Sequence, residues 1–324
     1  MKVAALGGGT GLSCLLSGLK KFTPDITAIV TVTDEGGSSG RLRRSWGVLP
    51  PGDFRNCLVG LAEDGALLSR LFQYRFPGRE GDARGDALAG HAFGNLFLTA
   101  LSDVAGGLDK ALAAAARVLA VRGKVLPATL ESARLSARLA DGRRVLGETR
   151  VTLSGGRIRR VALIPSAPRP APGVLESLLK ADLVVLGPGS LFTSVLPPLL
   201  VKGVAATLAR SRGLRVYVCN VMTQPGETDR FTAGDHLRAV VDHCRAASGS
   251  GRSCVDVMLV NDEPVPSAVA RSYARHHSRP VEPPRETVLN GVRVVRRAMM
   301  EAEGGRALAR HSPERLAGAL MELV

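Results

Sequence analysis

Val3–Lys20 reads "VAALGGGTGLSCLLSGLK", and the fold follows from how this stretch divides. Val3–Leu6 is apolar throughout. A run with no polar face fits a strand buried on both sides of a sheet. Gly7–Gly11, "GGGTG", then breaks the run. After it Leu12, Leu15, Leu16 and Leu19 recur at helical spacing, which predicts a helix over Leu12–Lys21 with one apolar face. Ile26–Val32 is the next apolar run. Strand, glycine turn, helix and strand make a βαβ beginning, which implies parallel strands joined by a right-handed crossover.

The same grammar returns later in the chain. Strands are predicted at Ala181–Leu186, Leu214–Val221 and Val255–Val260, with helices near Pro197–Arg210 and Ala233–Ala246. The expected fold class is therefore α/β, a Rossmann-like doubly wound and mostly parallel sheet. Leu135–Leu163 breaks the pattern: it alternates polar and apolar residues, with turn signals at Asp141-Gly142 and Gly155-Gly156. It reads as a β-hairpin insertion occupying about 129–164, after which the Pro-rich Pro165–Gly173 returns to the main sheet. One continuous domain over 1–324 is expected.

Composition narrows the function classes. The formal net charge is +14, yet only seven of the 43 basic residues are Lys, and they are scattered or in pairs such as Arg43-Arg44. With one Trp and three Tyr there is little to stack bases on, so a dedicated nucleic-acid binder is not expected and small anionic ligands fit better. Cys14, Cys57, Cys219, Cys244 and Cys254 form no C-x-x-C pair, so neither a disulfide framework nor a zinc site is indicated. No apolar run reaches the ~18 residues of a membrane span, and no signal peptide is apparent. A cytoplasmic protein is expected, with homo-oligomerisation left open.

Several glycine-bearing polar loops follow predicted strands. Gly8, Gly9, Thr10 and Gly11 offer backbone N–H groups and a helix start to a phosphate. The dinucleotide fingerprint is absent, because Leu12 stands where its third glycine belongs, and no P-loop lysine follows. Thr33–Arg43, "TDEGGSSGRLR", reads as an anion-binding loop in which Asp34 takes the ribose-binding position, and Gly37, Ser38 and Ser39 add donors. Pro50–Asn56, "PPGDFRN", presents Asp53, Arg55 and Asn56, residues able to hold Mg²⁺, a hydroxyl and a phosphate; the plainer alternative makes Asp53 a helix N-cap. His91 and Asn95 start another helix. Gly187, Gly189 and Ser190 form a second anion loop, and Asn220 and Thr223 follow a further strand. Loops of this kind converge at the carboxyl edge of a parallel sheet, where ligands bind. His236 and His243 share a helix face without a matching carboxylate, so no metal site is read there.

The motifs "GGGTGL", "TDEGGSSGRLR", "PPGDFRN", "GHAFGNL", "RGKVLPAT", "VLGPGSLFTSVLPPLLV" and "VCNVMTQPGETD" resemble the YvcK group of the CofD-like superfamily, bacterial proteins called gluconeogenesis factors. The match runs in order from Gly7 to about Tyr273 and then loosens. The resemblance implies a regulator that binds UDP-sugars, UDP-N-acetylglucosamine above all, and supports cell-wall precursor synthesis and cell shape through a protein partner. It also implies UDP-sugar contacts at Tyr273 and Arg310. The sister branch, CofD, transfers a phospholactyl group from an activated nucleotide with Mg²⁺, which is the alternative reading. An NAD(P) dehydrogenase is a third, weaker one. Asp34-Glu35 stands where the YvcK group usually has Asp-Asp.

Overall fold

Apolar runs such as "LVVL" bury every side chain only inside a sheet covered on both faces, and that is where this chain puts them. The computed structural model describes residues 1–63, 67–77, 87–301 and 309–324. Its strands are β1 (Val3–Gly7), β2 (Ile26–Val30), β3 (Lys124–Pro127), β4 (Arg134–Leu139), β5 (Arg144–Leu146), β6 (Ile158–Ile164), β7 (Leu183–Leu186), β8 (Leu214–Val218), β9 (Val257–Asn261), β10 (Val288–Leu289) and β11 (Val292–Arg297). Eight of them form one sheet in the order β10-β11-β9-β8-β7-β1-β2-β3, parallel except for the β10–β11 edge pair. The mixed α/β, mostly parallel architecture expected from the sequence is present.

The strand order fixes where a ligand can sit. From β1 the chain builds outward through β2 and β3, then returns to the other side of β1 with β7 and continues to β8 and β9. The direction of winding therefore reverses between β1 and β7. At such a switch point the loops leaving the two strands diverge to opposite faces and open a crevice at the carboxyl edge. Here those loops are the two glycine turns. The strands pair from Val3↔Leu183 to Leu6↔Leu186, and the Gly187 N–H donates to the Leu6 carbonyl at 2.9 Å, so both turns begin at one level.

The first helix, α1 (Gly9–Leu19), buries Leu12, Leu15, Leu16 and Leu19 as its spacing predicts. It starts earlier than Leu12 because the glycine turn is itself the first helical turn. Three other predictions need correction. "GGSSGRLR" is largely helical: α2 spans Gly37–Trp46 and buries Ser38, Ser39 and Gly40 against the preceding turn. Small residues there allow close approach rather than flexibility. The helix expected over Pro197–Arg210 is two pieces: Leu196–Leu199 ends at its C-cap Leu200, and Val204–Leu208 begins after Gly203, whose φ of +81° is non-helical. The insertion is a three-stranded antiparallel sheet, β5-β4-β6, with a short helix Glu148–Leu153 in place of a simple second turn. Its Leu135, Ala137, Leu139, Val161 and Leu163 alternate inward and join the main core.

Candidate functional site

The crevice over β1 and β7 holds a cavity of about 720 Å³. Gly8, Gly9, Thr10 and Gly11 line one side, at the start of α1, and Gly189 and Ser190 line the other. The two turns lie back to back with no room for side chains between them. A Cβ on Gly11 would meet the Pro188 carbonyl oxygen at 2.6 Å, and one on Gly189 would lie 3.3 Å from the Gly8 carbonyl. Gly9 sits at φ +65°, so this turn also needs glycine for its backbone. Gly8 is the N-cap of α1 and has no side chain to cap the helix. The first N–H groups of the helix thus lack an intrahelical partner and present partial positive charge at the cavity wall.

Asn220 and Gln224 hold the second turn in place. The Asn220 Oδ1 accepts from the Gly189 N–H at 3.3 Å, and its Nδ2 donates to Gln224 Oε1 at 3.3 Å. Gln224 Nε2 donates in turn to Ser190 Oγ at 2.7 Å. Thr223, by contrast, spends its polar groups on structure: its N–H donates to the Arg279 carbonyl at 2.8 Å and its Oγ1 accepts from the Arg279 N–H at 2.9 Å. That clasp docks the segment after the helix Ser267–Ala274 against the cavity. Tyr273, on that helix, packs beside a small apolar cluster of Val221, Met222, Val269, Met300 and Ala309 and faces the same cavity.

Arg310, His311 and Cys14 also line the wall, together with His276 and Glu301. Arg310 is exposed at the rim, while His311 is buried with its Nε2 unpartnered. Burial drives the His311 imidazole down to about 4, so it is neutral at physiological pH. Cys14 Sγ donates to the His311 carbonyl at 3.2 Å, and burial first, then Glu301 and Glu314, push its thiol up to about 11. A protonated thiol is no nucleophile. Sequence reasoning singled out Arg310 only through a resemblance, and missed His311 and Gln224. The Arg-His pair directly before the Ser312-capped helix Pro313–Met321 was the available signal.

The remaining sequence candidates form a second cluster that does not line this cavity. The Asp53 carboxyl lies beneath the glycine turn, where a Cβ on Gly8 would collide with it. Pro51, not Asp53, occupies the N-cap of the helix α3 (Gly52–Leu61), so the plainer N-cap reading of Asp53 is corrected. Burial raises the Asp53 carboxyl to about 7; Asp34 adds to the rise, while the Gly9 N–H and Arg55 oppose it. Asp34 Oδ1 accepts from the Gly36 N–H at 2.8 Å. Ser39 Oγ accepts from Gly52 at 3.0 Å, tying α2 to α3. Ser38 Oγ meets His91 Nδ1 and Asn95 Nδ2, each at 3.0 Å, and Asn56 Oδ1 accepts from Arg55 at 2.8 Å. Gly37 opens α2 at φ +45° with open space around it, and Gly187 lies behind the cavity at φ +80°.

Asp34 and Glu35 part company. Glu35 turns away to Arg134, 2.8 Å off, and its N–H donates to Glu148 Oε2 at 2.9 Å. Its extra methylene carries the carboxylate to the insertion, which accounts for Glu at this position. Among the described residues no group of three His, Cys, Asp or Glu is placed to hold a metal. Mg²⁺ is commonly bound through one or two carboxylates plus substrate phosphates, so Asp34 and Asp53 fit that pattern only together with a nucleotide. His236 and His243 bond backbone carbonyls at 2.9 and 2.7 Å, and His243 Nε2 accepts from Val161, stapling β6 to its helix. No helix among the described residues is long and apolar enough to cross a membrane.

Comparison with known proteins places this geometry. A family model described as 2-phospho-L-lactate transferase CofD matches residues 3–300. The gluconeogenesis factor of Bacillus subtilis is 43% identical over 324 residues, covering 100% of this chain and 98% of its own. That of Halalkalibacterium halodurans is 48% identical over 279 residues, covering 86% of this chain and 83% of its own. A crystallised protein of Bacillus halodurans superposes with a TM-score of 0.89 at 42% identity, covering 99% of both chains. With its parallel sheet, its paired glycine turns and these relatives along nearly its whole length, the chain belongs to the CofD family, among the gluconeogenesis factors.

Proposed function

We propose that the chain binds a UDP-sugar, UDP-N-acetylglucosamine above all, in the cavity over β1 and β7. It then acts as a regulator of cell-wall precursor synthesis and cell shape through a protein partner. One observation carries the reading: Tyr273 and Arg310, distant in sequence, meet both glycine turns around a single cavity. The pieces suit the parts of such a ligand. An aromatic ring takes the face of uracil, the glycine-turn N–H groups take the pyrophosphate, and the rim guanidinium adds a charged hydrogen bond. A cavity of about 720 Å³ is in the range of small-molecule sites. The test is isothermal titration with UDP-N-acetylglucosamine, GDP and NADP. Saturable heat with the UDP-sugar alone is expected; no heat with any UDP-sugar would overturn the reading.

A second reading has its own support. The matching family model carries a transferase description, and Asp34 and Asp53 put two carboxylates beside the turn. On that reading the residues would hold Mg²⁺ on a nucleotide-activated donor, and the metal would neutralise phosphate charge. Turnover of an activated phospholactate donor with Mg²⁺ and a deazaflavin acceptor distinguishes it; an inert protein ends it.

A further inference from the structure

A second cavity, of about 600 Å³, lies where α2 meets the β insertion, and it shares no residue with the first. Its wall brings together Arg43 and Arg44 from the end of α2, Arg134 at the start of β4, and Arg150 on the short helix Glu148–Leu153. Among the described residues Glu35 is the one carboxylate in the wall, held by Arg134 at 2.8 Å, with Asp34 and Glu148 near enough to act on Arg43 from outside it. Arg43 spends donors on the Ala133 carbonyl at 2.7 Å and on Ser132 Oγ at 3.3 Å. Arg44 and Arg150 are different. Neither makes a hydrogen bond or ion pair among the described residues, although Arg44 folds back so that its Nη1 would lie 3.3 Å from a Cβ on Gly40.

A lone arginine near a helix end is ordinary, since it complements the helix dipole. Four guanidinium groups from three separate elements around one concavity are not explained that way. Like charges brought together cost free energy unless an anion joins them, and guanidinium forks match the paired oxygens of a phosphate. The rest of the wall says what hangs on that phosphate. Thr149 and Ser132 contribute hydroxyls, and among the described residues no aromatic side chain lines the cavity to stack a base.

We propose that this cavity binds the phosphate monoester of a small polyhydroxylated molecule, with Arg44 and Arg150 as its principal ligands and Thr149 and Ser132 facing its hydroxyls. The site is separate from the UDP-sugar cavity and does not depend on that assignment.

Calorimetry of the full chain against glucose monophosphate, inorganic phosphate, glucose and citrate tests it. Saturable binding is expected for glucose monophosphate, weaker binding for inorganic phosphate and none for glucose. The double variant R44E/R150E should weaken glucose monophosphate binding by about a hundredfold, since each lost charged hydrogen bond is about a tenfold effect or more. Both side chains are exposed, so the fold should survive, and unchanged circular dichroism checks this. If the double variant does not fold, the single variant Arg150→Ala should still weaken binding by about tenfold. Absence of binding, binding that survives these changes, or a preference for citrate would each overturn the proposal.

Discussion

Tyr273 is half-buried against an apolar cluster, which holds its ring in one orientation before any ligand arrives. Little ordering entropy is then lost on binding. Tyr273→Ala is accordingly expected to weaken UDP-N-acetylglucosamine by more than about tenfold, or about 1.4 kcal/mol, in calorimetry. Unchanged affinity would remove Tyr273 from the site. Asp53 makes a different prediction. Burial beside Asp34 raises its carboxyl from 3.8 to about 7, with the Gly9 N–H and Arg55 opposing. Over that window the folded chain keeps a proton that the unfolded chain releases. Asp53 therefore contributes stability that is present below its unfolded value and lost as pH rises through its folded one. Asp53→Asn, which cannot ionise, should match the parent in Tm at about pH 4 and exceed it at about pH 8. A gap that stays flat with pH would contradict this account of the cluster.

Among the elements, the paired glycine turns carry the argument most directly. Gly11 has an ordinary backbone conformation, so its requirement is purely for space: the Pro188 carbonyl stands 2.6 Å from where a Cβ would be. Gly11→Ala should cost about 1–3 kcal/mol in chemical denaturation, the range for overpacking. Gly318→Ala, in the C-terminal helix with nothing within 4 Å, should instead be neutral or stabilising by up to about 1 kcal/mol. Equal effects at the two positions would show that packing between the turns is not what Gly11 serves. This level was the most legible in the sequence, because uninterrupted apolar strands and leucines at helical spacing are local signals. The "GGSSGRLR" helix was not legible. Its Gly40 and Ser39 are used for close packing on Glu35 and Gly52, and composition alone cannot tell close packing from slack.

On the scale of the whole molecule, the site depends on contacts that no local pattern encodes. The helix Pro313–Met321 packs so closely on α1 that Gly18 has no room for a side chain. That contact brings Arg310 and His311 over the first glycine turn, where Cys14 and His311 touch across 297 positions of chain. Periodicity and spacing alone gave no reason to place the C-terminal segment there, and the family model itself stops at residue 300. The candidate list also divides in space, into two groups interleaved in sequence. Glycine turns, Asn220 and Tyr273 share one cavity, whereas Asp53 lies beneath the first turn beside Asp34, and Ser38 and Asn95 hydrogen-bond to each other outside that cavity. The central claim is that a nucleotide sugar lies across β1 and β7, and a crystal structure with UDP-N-acetylglucosamine tests it most directly. The account predicts uracil against Tyr273, the pyrophosphate at Gly8–Gly11 and Gly189-Ser190, and Arg310 closing on it. Ligand density elsewhere, or none in that cavity at saturating concentration, would contradict it.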